Sequence, residues 1–108
     1  MKKAVVIGGS GFIGSHVADH LSSSGYKVVI YDEKASIWIS KDQKMVIGDV
    51  QDKDKIGQVI AGAEVVYNFA ALADLNQALN QPLKTVQINI LGNINIMEAC
   101  RIHKVKRF

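Results

Sequence analysis

The chain has 108 residues, the size of one domain. With 48% hydrophobic and 21% charged residues and a net charge of +3, its composition indicates a chain that buries a core and excludes a disordered tail. No apolar run reaches the roughly 18 residues of a membrane-spanning helix, and the apolar stretch near the N-terminus is too short for a signal peptide. We therefore expect one cytoplasmic domain, residues 1–108, without a membrane partner.

The cysteine content and the distribution of charge argue against disulfide-stabilised, metal-binding and nucleic-acid-binding proteins. Cys100 is the only cysteine and has no Cys or His at metal-ligand spacing, so we expect neither a disulfide framework nor a metal site. Four of the 13 Lys and Arg residues lie in the last eight residues, which leaves the first 100 residues with a net charge of −1. Nucleic-acid binding requires a basic face or stripe. A short basic end is instead typical of a helix C-terminus, and we predict no nucleic-acid partner.

Two patterns of apolar residues alternate along the chain, one typical of strands and the other of helices. Short continuous runs rich in Val and Ile are typical of strands buried on both faces, and between them apolar residues recur at helical spacing. Residues 33–43 show no clear period and are predicted to be a connection. In chain order the predicted elements are strand Lys3–Gly8, a helix from Phe12 that stops before Gly25, strand Lys27–Tyr31, strand Lys44–Gly48, helix Asp52–Gly62, strand Glu64–Ala71, helix Pro82–His103 and a further strand beginning at Val105.

Strands that alternate with helices in one short chain predict an α/β fold with a doubly wound parallel sheet and right-handed crossovers. The expected strand order is 3-2-1-4, with a short fifth strand at the end of the chain. In this order the fourth strand is an edge, and Val65–Phe69 would form a flat apolar edge of the kind that proteins normally cover. We therefore expect a homodimer, formed by pairing of these edges or by exchange of the terminal helix and Lys104–Phe108.

Glycines are concentrated in the turn after the first predicted strand, Gly8-Gly9-Ser10-Gly11-Phe12-Ile13-Gly14. The turn satisfies G-x-x-G-x-x-G from Gly8 and G-x-G-x-x-G from Gly9, and it joins a predicted strand to a predicted helix. Glycines permit a tight turn, close approach of a pyrophosphate and close helix packing. Amides at the start of the helix then attract the phosphate charge. This context favours a dinucleotide-binding turn over a tight turn without a ligand.

Acidic residues follow the next two predicted strands. Asp32 lies 18 residues after Gly14, where its carboxylate would accept hydrogen bonds from the adenosine ribose hydroxyls and repel a 2′-phosphate. We therefore predict NAD rather than NADP as the ligand. Asp49 ends the third strand at the same edge of the sheet, where it is either a ligand contact or the N-cap of the following helix.

Four segments together resemble the N-terminal part of the extended short-chain dehydrogenase/reductases, the NAD-dependent nucleotide-sugar epimerases and dehydratases, whose fold is Rossmann-type. They are GGSGFIG at 8–14, YD at 31–32, GDV at 48–50 and the stretch from NFAALAD to KVKRF at 68–108. The segments occur in family order and cover nearly the whole chain. Two positions depart from the family pattern, which often has His at Asn68 and Gly-Thr at Gly92-Asn93, and these departures leave the subfamily open.

The resemblance implies a set of residues for each part of an NAD molecule. The glycine turn would hold the pyrophosphate, and residues at the ends of the second, third and fourth strands would contact the ribose, the adenine and the nicotinamide half. An asparagine of the long helix would also reach the cofactor, or else pack as a polar residue between helix and sheet. These residues are Gly8, Gly11, Phe12, Ile13 and Gly14 for the pyrophosphate, Asp32 for the ribose, Asp49 and Val50 for the adenine, Phe69, Ala70 and Ala71 toward the nicotinamide, and Asn89 of the helix.

The same resemblance implies that the parent protein oxidises a carbinol of a nucleotide sugar transiently, with hydride transfer to NAD⁺. The family's catalytic Ser or Thr and its Y-x-x-x-K lie beyond the K-R-F that ends this sequence, and Tyr26, Tyr31 and Tyr67 have no Lys four residues later. We therefore expect the chain to be a truncated dinucleotide-binding half that is inactive alone. Two alternatives stay open: a non-catalytic, self-associating module, and a fold that binds S-adenosylmethionine, which shares a Gly-rich turn and a strand-end acid.

Overall fold

All four strands predicted before Val105 are present in the computed structural model, which describes all 108 residues. In chain order the elements are β1 Lys3–Ile7, α1 Phe12–Ser23, β2 Lys27–Asp32, β3 Lys44–Ile47, α2 Lys53–Ile60, β4 Ala63–Asn68, α3 Leu75–Asn80, α4 Pro82–Val86, a π-helical segment Gln87–Gly92 and α5 Asn93–Ile102.

The strands form one parallel sheet in the order β3-β2-β1-β4, which confirms the predicted α/β fold. The central strand is β1, which pairs with β2 on one side and, after a register shift between Lys3 and Ala4, with β4 on the other. Residues Ala4 to Ile7 are completely buried, as expected of a continuous apolar strand covered on both faces. The carboxyl ends of all four strands therefore meet at one edge of the sheet.

The two faces of the sheet carry unequal cores. Helices α2 and α5 cover one face, where 15 buried residues form one cluster, and α1 covers the other, where the cluster has four. Most of the hydrophobic free energy therefore comes from the first face. Its largest fully buried side chains are Val5, Ile7, Tyr31, Ile56, Ile60 and Ile96, and the second face holds Val6, Ala18, Val28 and Ile30.

None of the helices has both the length and the apolar character that a membrane-spanning segment requires.

The segment after β4 differs from its sequence prediction. The strand ends at Asn68 instead of Ala71, because the Asn68 side chain accepts a hydrogen bond from the Ala70 N–H (2.9 Å) and so forms a local turn that competes with the strand ladder. A short helix, α3, then precedes Pro82, which begins α4 as predicted. The single long helix predicted from Pro82 to His103 is instead α4, the π-helical segment and α5.

The free edge of β4 is partly covered by the end of the chain. The Val66 N–H donates to the Arg107 carbonyl (3.0 Å), and Val65 and Arg107 form an isolated parallel bridge. Val65 and Val66 are buried, with Val66 part of the larger core cluster, whereas Tyr67 and Phe69 each remain 38% exposed. The prediction of a fully open β4 edge is wrong for the first half of that edge, because the bridge to Arg107 already pairs with it. This bridge is the only part of the predicted fifth strand that forms.

Parallel pairing also gathers lysines that are distant in sequence. Lys3, Lys27 and Lys44 each begin a strand and therefore share the amino edge of the sheet. Burial lowers the pKa of Lys3, and the positive charges of Lys44 and Lys27 lower it further. At the same edge Glu64 forms an ion pair with Lys106 (3.3 Å). The basic region is thus wider than the terminal patch that the sequence indicated, and it lies opposite the carboxyl edge.

Two isoleucines of α5 test the packing of this helix on the sheet. Ile96 is fully buried, whereas Ile94 is 52% exposed. We expect Ile96→Ala to lower the free energy of unfolding by about 3 kcal/mol, because it removes buried apolar surface and leaves a cavity. Ile94→Ala should cost less than about 1 kcal/mol. Urea unfolding followed by circular dichroism measures both, and equal losses would contradict this orientation of α5.

Candidate nucleotide-binding site

The turn between β1 and α1 is built around missing Cβ atoms. Gly8 has a φ of +76°, and a Cβ there would lie 2.6 Å from the backbone of Phe69 and Ala70. A Cβ on Gly14 would overlap the Gly8 carbonyl oxygen. Helix α1 can therefore begin directly against the end of β1, and the loop after β4 can approach the same turn, because neither glycine carries a side chain.

The start of α1 presents unpaired backbone N–H groups. Its N-cap is Gly11, no side chain caps it, and no acidic residue lies in its first turn. The first amides of a helix have no partner within the helix, and here they include those of Phe12 and Ile13, residues that are 71% and 62% exposed. These amides and the positive end of the helix dipole form a site suited to an anion.

The carboxylate of Asp32 connects the glycine turn to the segment after β2. Its Oδ2 accepts from the Ser10 N–H (3.0 Å) and its Oδ1 from the Lys34 N–H (3.3 Å). The Ser10 hydroxyl donates to the Lys34 carbonyl (2.6 Å), which is a direct hydrogen bond between the same two segments. Since an ionised carboxylate has about four acceptor positions, about half of them stay available to a ligand.

These elements border a groove of about 340 Å³ at the carboxyl edge of the sheet. The glycine turn and the loop after β4 meet where the strand order reverses, between β1 and β4, which is the position where open α/β sheets bind ligands. Predicted site residues that line the groove are Gly8, Gly11, Asp32, Val50, Phe69, Ala70 and Ala71.

The groove also has lining residues that were not among the predicted site residues. Lys84 is the only cation among them, and it comes from α4, beyond a helix that the sequence pattern did not predict. Tyr31 belongs to the YD segment at 31–32, but only Asp32 of that segment was predicted to be a site residue. The full set of unpredicted lining residues is Ile7, Tyr31, Glu33, Gly48, Leu72, Ala73, Gln77, Lys84 and Ile88.

The remaining predicted residues lie beside the groove rather than on its surface. Phe12 and Ile13 begin α1, and Gly14 packs beneath the turn. Asp49 accepts from the Gln51 N–H through Oδ1 (2.9 Å) and does not cap α2. The N-cap of α2 is Asp52, which accepts from the Lys55 N–H, so the helix-capping alternative for Asp49 is wrong.

Asn89 holds the loop that follows β4. Its Oδ1 accepts from the Leu72 N–H (2.8 Å) and its Nδ2 donates to the Leu72 carbonyl (3.1 Å). Asn89 lies in the π-helical segment, and such segments are frequent at functional sites. In this structure the amide thus contacts the groove-lining loop and supports one wall of the groove, as in the polar-packing alternative.

The two departures from the family pattern contact each other. Asn68 donates through Nδ2 to Oδ1 of Asn93 (3.0 Å) and accepts from the Ala70 N–H through its own Oδ1. The end of β4 is therefore joined to the start of α5 by one amide pair. Because the two residues are 25 positions apart, the sequence alone did not indicate that they form a unit.

Tyr31 forms the buried support between the ends of β2 and β3. Its ring is completely buried, and its hydroxyl donates to the Asp49 carbonyl (2.7 Å). A Cβ on Gly48 would overlap this phenol, so the ring requires glycine at that position. Burial, with the negative charges of Asp52 and Asp49, raises the pKa of Tyr31 to about 12. The hydroxyl is therefore a neutral hydrogen-bond donor at physiological pH.

A parallel sheet of order β3-β2-β1-β4, a glycine turn where the strand order reverses and an acid at the end of β2 define a Rossmann-type dinucleotide-binding fold. Residues 4–108 match the model of the NAD dependent epimerase/dehydratase family, and the chain belongs to this family.

Curated relatives and solved structures agree with this assignment. The chain is 34% identical over 107 residues to a putative UDP-glucose 4-epimerase of Methanocaldococcus jannaschii, covering 95% of this chain and 35% of that protein. It is 29% identical to a dTDP-glucose 4,6-dehydratase of Mycobacterium tuberculosis, with coverages of 96% and 34%.

Among solved structures, UDP-glucose 4-epimerase of Thermotoga maritima with UDP-glucose superimposes with a TM-score of 0.90 at 28% identity, covering 96% of this chain and 35% of that one. MoeE5 in complex with UDP-glucose and NAD superimposes with a TM-score of 0.86 at 28% identity, with coverages of 97% and 34%. The chain thus spans about a third of the length of the relatives it matches.

Two glycines inside helices test the packing of the turn. A Cβ on Gly14 would overlap the Gly8 carbonyl, whereas a Cβ on Gly57 of α2 would meet nothing within 4 Å. We expect Gly14→Ala to lower the free energy of unfolding by about 2 kcal/mol or more, because the turn must open. Gly57→Ala should raise it by about 0.5–1 kcal/mol, since alanine favours the helix. Urea titrations measure both, and a Gly14→Ala variant as stable as the wild type would contradict the close approach of α1.

Proposed function

We propose that this chain is the NAD(H)-binding part of a nucleotide-sugar epimerase or dehydratase. The supporting observation is Gly11, which has an ordinary φ of −78° and where a Cβ would make only a normal contact, 3.5 Å from the Gly8 carbonyl oxygen. Neither the backbone nor packing within the protein therefore requires glycine. Gly11 lines the groove and caps α1, so an approaching phosphate accounts for the absent side chain.

The pyrophosphate would lie at the start of α1. Gly8 and Gly14 let the helix begin there, and the amides of Phe12 and Ile13 would donate to the phosphate oxygens. The charge of the ligand would thus be met mainly by the backbone, with Lys84 the one lining cation.

The adenosine would lie across the ends of β2 and β3. The acceptor positions of Asp32 that the protein leaves unused would take the ribose hydroxyls, and its charge would oppose a 2′-phosphate. The Val50 N–H donates to no other group, and one oxygen of Asp49 remains besides the Oδ1 that accepts from Gln51. A donor beside an acceptor complements adenine, which presents an acceptor at N1 and a donor at its 6-amino group.

The nicotinamide half would extend along Phe69, Ala70 and Ala71, in the loop that Asn89 holds. Bound there, NAD⁺ would supply the hydride acceptor for oxidation of a sugar carbinol. We propose such a reaction, on a nucleotide sugar, for the parent protein, because the matched relatives are named as UDP-glucose epimerases and a dTDP-glucose dehydratase. The cytoplasmic location stays a prediction from the sequence.

Calorimetric titration with NAD tests this proposal. We expect the chain to bind NAD, to prefer it to NADP, and to lose at least about tenfold in NAD affinity on Asp32→Ala, because hydrogen bonds to a charged group are removed. Asp54→Ala is the matched control, since this exposed carboxylate lies on α2 outside the groove.

The absence of heat and of a thermal shift with millimolar NAD or ADP-ribose would contradict the proposal. Competition with S-adenosylmethionine separates the other ligand class: displacement of NAD by low concentrations of that compound would favour it instead.

We also propose that the isolated chain self-associates through the open half of the β4 edge. Tyr67 and Phe69 stack there with ring centroids 6.2 Å apart, and both are partly exposed. Unpaired strand edges with apolar side chains favour pairing with a second copy. Exchange of Lys104–Phe108, which pairs with β4 through few hydrogen bonds, is the second route to a dimer.

Light scattering over a range of concentrations tests this association. We expect a dimer at high micromolar concentration and a monomer for Tyr67→Lys, because a charged side chain blocks edge pairing. Leu75→Lys is the matched control, since Leu75 is 80% exposed and lies on α3 rather than in β4, and it should leave the dimer intact. A wild-type chain that remains monomeric would contradict the association.

A further inference from the structure

The segment Gly48–Val50, between β3 and α2, is held by side chains from two other elements. Tyr31 of β2 donates to the Asp49 carbonyl (2.7 Å), and Asn95 of α5 donates through Nδ2 to the Val50 carbonyl (3.1 Å). Two consecutive peptide groups are therefore each fixed by one side chain.

Packing limits the same segment from both sides. The Tyr31 ring lies so close to Gly48 that a Cβ there would overlap it, and a Cβ on Gly92 of the π-helical segment would lie 2.6 Å from Cγ2 of Val50. Rotation of either peptide would have to displace the buried Tyr31 or the helix. The orientation of the segment is thus set before any ligand arrives.

Because a peptide group is planar, each of these two hydrogen bonds also sets the direction of the N–H group on the other side of the same peptide. In a trans peptide the carbonyl and the following N–H point in opposite directions. The Asp49 carbonyl points at Tyr31, so the Val50 N–H points away from it. The Val50 carbonyl points at Asn95, so the Gln51 N–H points away from Asn95, and it donates to Oδ1 of Asp49 (2.9 Å).

We propose that Tyr31 and Asn95 are positioning residues for recognition of the adenine base, an inference that rests on the proposed NAD site. Tyr31 orients the Val50 N–H donor, and Asn95, through Gln51, orients the Asp49 carboxylate acceptor. Together they set the order of donor and acceptor that matches adenine and opposes hypoxanthine, which carries a donor at N1 and an acceptor at position 6.

The test compares NAD with nicotinamide hypoxanthine dinucleotide, which differs only in the purine. We expect the wild type to prefer NAD by about tenfold or more, since two hydrogen bonds become repulsive contacts. Tyr31→Phe keeps the ring and removes the hydroxyl, and it should lower this preference several-fold. Tyr26→Phe is the matched control, because Tyr26 packs on the opposite face of the sheet, and it should leave the preference unchanged.

A purely structural role for Tyr31 predicts a different result. Tyr31→Phe would then lower the melting temperature and both affinities in proportion, and an unchanged preference would overturn the proposal. If Tyr31→Phe does not fold, Asn95→Leu, which removes the other anchor, must lower the preference, and an unchanged value overturns it equally. Wild-type binding of both dinucleotides with equal affinity would refute adenine recognition alone, whereas binding of neither would refute the NAD site itself.

Discussion

The architecture depends on how closely α1 approaches the end of β1. Gly14 packs on the Gly8 carbonyl, and Gly8 in turn leaves room for the backbone of the loop after β4. A side chain at either position would push the helix or the loop outward. The same missing Cβ atoms therefore place three elements around one point: the unpaired amides of α1, the end of β1 and the loop that contains Phe69.

Hydrogen bonds from side chains to the backbone complete the groove around that point. Asp32 fixes the glycine turn, Asn89 fixes the loop after β4, and Tyr31 fixes the segment after β3. Lysines that begin the strands lie at the opposite edge of the sheet. An anionic ligand would thus meet oriented N–H groups more than mobile cations, which favours recognition of its shape over simple attraction of its charge.

Local patterns in the sequence predict the sheet, the glycine turn and the position of Asp32, because each follows from neighbouring residues. Continuous Val and Ile runs indicate buried strands, and spaced glycines between a strand and a helix indicate the turn. The β4 boundary was missed because the strand ends through a side-chain contact of Asn68. The π-helical segment was missed because its residues continue the helical spacing of apolar side chains.

Contacts between residues that are distant in the sequence account for the other differences between the sequence predictions and the structure. The pairing of Arg107 with Val65 covers part of an edge that the strand order left open. The amide pair of Asn68 and Asn93, and the hydroxyl of Tyr31 on the Asp49 carbonyl, join positions that no local pattern connects. Such contacts emerge only when the parallel sheet brings the strand ends together.

The proposed site requires that a dinucleotide bind across the glycine turn and the ends of β2 and β3. Backbone amide NMR spectra recorded during titration with NAD report each N–H group separately and so locate the ligand. We expect large changes at the amides of residues 8–14 and at Val50, with Lys27 and Lys44 at the amino edge unaffected. Changes confined to α2 and α5, or no changes at saturating NAD, would contradict it.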